Sequence, residues 1–122
     1  MKAIFNKNCM IVGWYDPQNK NVFNKELQWI GFINDSYFFS ESIHWIGGFV
    51  KGTFVDKNGR PVAWIEGSIP TSANKLSQPI TPIKPLSPLT PLRPLLPLVP
   101  LRPLTPIGGW SELEWKEYLK PS

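Results

Sequence analysis

The chain has 122 residues, the size of one small domain with an appendage. Its net charge of +4 is too small for charge to specify a nucleic-acid partner, and its single cysteine, Cys9, leaves no intramolecular disulfide and no secreted cysteine framework. The first residues, Met1 to Asn8, lack the apolar core of a signal peptide, and no run approaches the roughly 20 apolar residues of a transmembrane helix, so a cytoplasmic location is expected.

Aromatic residues and prolines are segregated. Thirteen of the sixteen aromatics precede residue 65 and three follow residue 109, with a proline repeat between them. The chain therefore divides into an aromatic domain (1–74), a linker (75–78), a proline repeat (79–108) and a short tail (109–122).

In the first block Trp14, Trp29, Trp45 and Trp64 each close a unit that opens with phenylalanine: Phe5, Phe23, Phe39 and Phe54. Each unit runs from apolar residues through a polar turn to a second apolar run, the pattern of a β-hairpin. Asn58-Gly59 is the strongest turn signal and predicts a type I′ turn. Asp16-Pro17, Asn34-Asp35 and Lys51-Gly52 punctuate the junctions between units. Residues 3–67 thus predict an all-β fold of four consecutive hairpins and eight short strands. One hairpin cannot bury an aromatic face alone, so the four must share a core. An open meander would leave two bare edges. A closed ring removes them, places the tryptophans at equivalent positions, and is favoured by the even unit length. Core filling is the expected role of these four tryptophans.

Ten prolines follow at strict three-residue spacing from Pro79 to Pro106. Polyproline II has three residues per turn, so the period predicts a stiff rod with one proline face, one aliphatic face and one variable face. Proline at that density excludes both helix and central strand. The aliphatic stripe is Ile80, Ile83, Leu86, Leu89, Leu92, Leu95, Leu98, Leu101, Leu104 and Ile107. Lys84, Arg93 and Arg102, nine residues apart, share one edge and make the rod the most purely cationic part of the chain. An apolar stripe of that length predicts an interface, with the rod's own domain or with another chain. The Pro-x-x-Pro cores also admit recognition by a separate proline-binding protein, although any three-residue proline repeat generates them automatically.

In the tail, Ser111 with Glu114 reads as a capping box, Trp110 with Trp115 as a hydrophobic staple, and Glu112 with Lys116 as an i,i+4 pair. A helix of roughly nine residues follows, with Trp115, Tyr118 and Leu119 on one face and Pro121 at its end. It is expected to dock on the hairpin domain, which would tie the rod at both ends. Three glutamates make it a poor membrane-surface anchor.

Taken in order, the four Phe…Trp units (Trp29, Trp45 and Trp64 each followed by isoleucine and a nearby glycine), the Pro-Leu-x repeat and the closing Ile107-Gly108-Gly109-Trp110-Ser111 resemble the bacterial four-fold β-flower family over essentially the whole chain. The resemblance implies four hairpin petals around a shallow, barrel-like centre. It brings no activity, substrate or catalytic residue. A loose likeness of such flowers to tubby-type barrels, some of which bind lipid, is fold analogy alone.

Catalytic chemistry is sparse. His44 is the only histidine and is expected in a strand beside Trp45. No second histidine or cysteine completes a zinc site, and no spacing pairs Cys9 with His44. The acids Asp16, Glu26, Asp35, Glu41, Asp56 and Glu66 fall mostly at turns, where solvated carboxylates are ordinary. No enzyme activity, metal or cofactor is expected. The chain reads as a non-enzymatic binding or assembly module whose partner is protein, either itself or another. A lipid or apolar small molecule at the centre of the flower is the alternative.

Overall fold

Asn6, Asn24, Ser40 and Asp56 start four polar loops that share one hydrogen-bond pattern. In the computed structural model, which describes residues 1–68 and 109–120, the amide of each accepting loop's last residue turns back onto that first side chain. Asn6 Oδ1 accepts from the amides of Asn8 (2.9 Å) and Met10 (3.0 Å). Asn24 Oδ1 does the same for Glu26 and Gln28, Asp56 Oδ1 for Asn58 and Arg60, and Ser40 Oγ for His44. In each loop the fourth residue, Cys9, Leu27, Ile43 or Gly59, has a positive φ and donates its amide to the first residue's carbonyl. That is a type I turn followed by a left-handed bulge residue. The type I′ turn expected at Asn58-Gly59 is therefore corrected, since Gly59 has a positive φ and Asn58 does not. The pair with positive φ at both central positions is Lys51-Gly52, between two hairpins.

These loops join β1 (Lys2–Asn6) to β2 (Ile11–Asp16), β3 (Asn21–Asn24) to β4 (Trp29–Asn34), β5 (Tyr37–Ser40) to β6 (Trp45–Val50), and β7 (Thr53–Val55) to β8 (Pro61–Ile65). All neighbours pair antiparallel, and β8 returns to β1 through Ile4↔Ile65, Phe5↔Trp64 and Asn6↔Ala63, so the barrel is closed. The expected eight strands and ring closure are both present. Closure removes the edges that four separate hairpins would expose.

Every hairpin carries the same irregularity. The register slips between Ile4 and Phe5, Val22 and Phe23, Phe38 and Phe39, and Phe54 and Val55, which leaves Val12, Ile30, Ile46 and Val62 as the extra residues on the second strands. A bulge bends and twists its strand, and four at one level help so short a sheet to close. Pro61 begins β8 beside such a bulge, where a missing amide donor is tolerated.

The side chains pointing inward form a single cluster drawn from all eight strands. Tyr15 on β2 meets Phe49 on β6, halfway round the ring, with ring centroids 5.0 Å apart. This contact crosses the barrel, so the cluster is the interior. The fill is layered by repeat: Val12, Ile30, Ile46 and Val62 near the hairpin tips, Ile4, Val22, Phe38 and Phe54 at mid-height, and Tyr15, Ile33, Phe49 and Ile65 at the far end.

The mouth at the hairpin tips is closed by α1 (Trp115–Tyr118). Trp115 stacks on Phe38 (6.2 Å, 15°) and meets Phe54 edge-on (5.3 Å, 77°), while Tyr118 donates its hydroxyl to the Val55 carbonyl (2.8 Å). Docking of the tail on the hairpin domain is thus observed, with Trp115 and Tyr118 buried and Leu119 beside them. The helix is a single turn of four residues where roughly nine were expected, and its capping differs too. The helix begins four residues after Ser111, its N-cap is Glu114 without a side-chain cap bond, and Glu112 lies ahead of the helix. Trp110 packs on the outside of the barrel and Trp115 inside, so the two indoles do not form a staple.

Candidate binding surface

The alternate residues of the strands face outward, and they too are large and apolar. Ala3, Phe5, Trp14, Phe23 and Trp64 form a second buried cluster, against which Met1, Cys9, Ile11, Leu27, Trp29 and Trp110 pack. The aromatic surface continues around the barrel. Phe5 lies 5.0 Å from Trp64, Trp29 stacks on Phe32 (6.3 Å), and Phe32 stacks on Phe39 (5.5 Å).

All four repeated tryptophans belong to this outward face. Core filling, the role expected of them, holds for Trp14 and Trp64, but in the outer cluster, because strand alternation turns them away from the axis. They occupy two repeat positions rather than one. Trp14 and Trp64 stand opposite Ala3 and Thr53, whereas Trp29 and Trp45 stand opposite Phe23 and Phe39 beside the bulge. Trp45 donates its indole N–H to the Gly47 carbonyl (2.9 Å), and the Lys57 ammonium lies 5.2 Å from its ring. The indole Nε1 atoms of Trp29 and Trp64 and the Thr53 hydroxyl are buried on this face and have no hydrogen-bond partner among the described residues. Buried donors of this kind are few in folded proteins and call for an acceptor.

At the plugged mouth the Trp115 indole Nε1 is buried without a partner among the described residues, while Asp56, Ser111 and Tyr118 are hydrogen-bonded. Asp56 is buried rather than solvated as expected for a turn carboxylate. Its Oδ1 takes two loop amides and its Oδ2 accepts the Ser111 hydroxyl at 2.7 Å. Ser111 in turn accepts the Leu113 amide and donates its own amide to the Pro61 carbonyl. Burial, with the Asp56 charge adding to it, pushes the Tyr118 phenol well above its ordinary value. Lys7 pairs with Glu114 at 3.6 Å on the surface.

His44 is exposed at the third hairpin loop, not within a strand, and Cys9 is on the first, so the barrel does not bring them together. Among the described residues no cluster of three or more His, Cys, Asp or Glu could hold a metal ion, and no helix is long and apolar enough to cross a membrane. The stripe from Ile80 to Ile107 and the cations Lys84, Arg93 and Arg102 lie outside the described residues.

The spacing of Trp and Phe alone does not reveal the outward aromatic surface. Its signal is in the strands themselves. Phe38-Phe39, Phe54-Val55 and Val62-Ala63-Trp64-Ile65 are unbroken apolar runs, the pattern of sheet covered on both faces, where a sheet with one solvated face would alternate.

Comparison with curated proteins and with solved structures returned no match. The chain matches the model of the 4-fold beta flower protein family over residues 2–119, and it belongs to that family.

Proposed function

We infer that the chain is a non-enzymatic binding and assembly module, in which the barrel is a rigid base and the Pro-Leu-x rod is the element that makes contacts. The observation that carries this reading is the filled axis. Three layers of side chains and the helix residues Trp115 and Tyr118 occupy the centre of the flower, so the apolar surface left for binding is the outward one. An apolar ligand at the centre would have to displace contacts such as Tyr15–Phe49 and Phe38–Trp115, which disfavours that alternative. The rod suits its role because polyproline II is stiff before it binds, so presenting ten aliphatic side chains costs little conformational entropy.

The test is a full-length variant with Leu89, Leu92, Leu95 and Leu98 replaced by serine, which keeps every proline and removes the middle of the stripe. Light scattering and small-angle X-ray scattering are expected to report a changed mass or a larger radius of gyration relative to the parent. If mass, radius and urea midpoint all stay the same, the stripe makes no contact and the reading is wrong.

A further inference from the structure

We propose that the outer aromatic face of the barrel is a proline-recognition surface, and that its occupant is residues 79–108 of the same chain, wrapped as a belt. This deepens the reading above, since it names the surface that the stripe meets.

The first argument is burial. Phe32 is 1% exposed and Trp64 fully buried, although both point away from the barrel axis. An outward face made of Phe5, Phe23, Phe32, Phe39 and the four repeated tryptophans requires a cover of comparable apolar length. The second is where the chain leaves and returns. Ser68 donates its amide to the Ile65 carbonyl at one end of β8, and Ser111 donates to the Pro61 carbonyl at the other. At about 3.3 Å per residue those two anchor points are only about 13 Å apart. A straight thirty-residue polyproline II rod spans about 93 Å. The ten residues between Ser68 and Pro79 reach at most about 35 Å. A belt of this length joined to its own barrel at both ends would therefore be curved.

The third argument is the length of the available path. Eight strands about 4.8 Å apart, tilted by about 40°, give a ring of about 8 Å radius. A chain packed about 9 Å outside that ring follows a circuit on the order of 100 Å, close to the length of the rod. The fourth is chemistry. Polyproline II has no internal hydrogen bonds, so its carbonyls are free acceptors, and aromatic surfaces bearing an indole donor are how such segments are gripped. The buried Nε1 atoms of Trp29 and Trp64 are donors on the path of the belt.

The belt has a testable sense of direction. Both its ends are at β8, so its middle lies across the barrel, over β4 and Trp29. A nitroxide placed at Thr90→Cys in a Cys9→Ser background is expected to broaden the indole N–H resonance of Trp29 strongly and that of Trp64 weakly, in ¹⁵N-labelled full-length protein. Broadening of neither indole, or of both equally, overturns the belt. A one-to-one mixture of spin-labelled unenriched protein with ¹⁵N protein lacking the label separates the origins. Broadening of Trp29 in that mixture places the rod on a second copy, which overturns the intramolecular belt while leaving the binding-module reading intact. The Leu→Ser variant supplies a second readout. Indole hydrogen exchange at Trp29 and Trp64 is expected to accelerate at least tenfold while Trp115, inside the barrel, stays slow and certifies that the fold is intact. Unchanged exchange at both outer indoles, with a changed radius of gyration, overturns the surface and not the function.

Discussion

Three of the four hairpin loops place a residue other than glycine in the left-handed region, at Cys9, Leu27 and Ile43, while the fourth uses Gly59. For a β-branched residue this conformation costs roughly 1–2 kcal/mol. Leu27 is compensated by packing on the outer cluster, whereas Ile43 belongs to neither apolar cluster. Ile43→Gly is therefore expected to stabilise the protein by about 1 kcal/mol, a rise of about 4–8 °C in Tm for a domain of this size. Leu27→Gly is expected to gain less or to lose stability, because it also removes an apolar contact. Differential scanning calorimetry on the two variants checks the ranking; a larger gain at Leu27 would contradict the account of the strain.

At the scale of the element, the single-turn helix is held by what it inserts rather than by its own hydrogen bonds, since four helical residues cannot sustain themselves in water. Tyr118 fits because Gly47 has no side chain: a Cβ there would come within 2.9 Å of the Tyr118 hydroxyl. The same phenol gives the fold an alkaline limit. Its pKa is raised in the folded state, so the folded protein holds that proton more tightly than the unfolded chain. The stabilisation is complete below the ordinary tyrosine value of about 10 and is lost as pH rises from there toward the folded value. Urea midpoints measured between pH 8 and 11 are expected to fall above about pH 10. In Tyr118→Phe the plateau should be lower by about 0.5–1.5 kcal/mol, for the lost bond to Val55, and the alkaline fall shallower. An identical alkaline slope in both proteins would exclude Tyr118 as its source.

At the scale of the whole molecule, the helix is a stopper for a barrel that is otherwise complete. Trp115 touches Phe38, Phe54 and Tyr118 from one position, so its truncation should open the interior at the hairpin tips. Trp115→Ala is expected to cost about 3–5 kcal/mol and to increase binding of an apolar dye while far-UV circular dichroism keeps its β signature. A cost below about 1 kcal/mol, without dye binding, would mean that the barrel closes on itself without the helix.

Much of this architecture is legible in the chain itself. The eight strands, the four-fold repeat, ring closure and the buried face of the tail follow from local alternation, turn residues and helical spacing. Those signals are written into neighbouring residues and do not depend on distant ones. Asn58-Gly59 suits both turn families, and only the loop's hydrogen bonds separate them. The capping box failed for a tertiary reason: Asp56 lies far away in sequence, and its buried carboxylate claims the Ser111 hydroxyl. The tryptophan spacing likewise conceals a difference of position, since the bulges shift residues relative to one another without changing the residue types.

The strands and their number are written in the chain itself, because apolar runs and turn chemistry act within a few residues. The tertiary structure decided which face turns inward. Closing the ring put the aliphatic layers with Phe38, Phe49 and Phe54 on the axis and left Phe5, Phe23 and the repeated tryptophans on the outside.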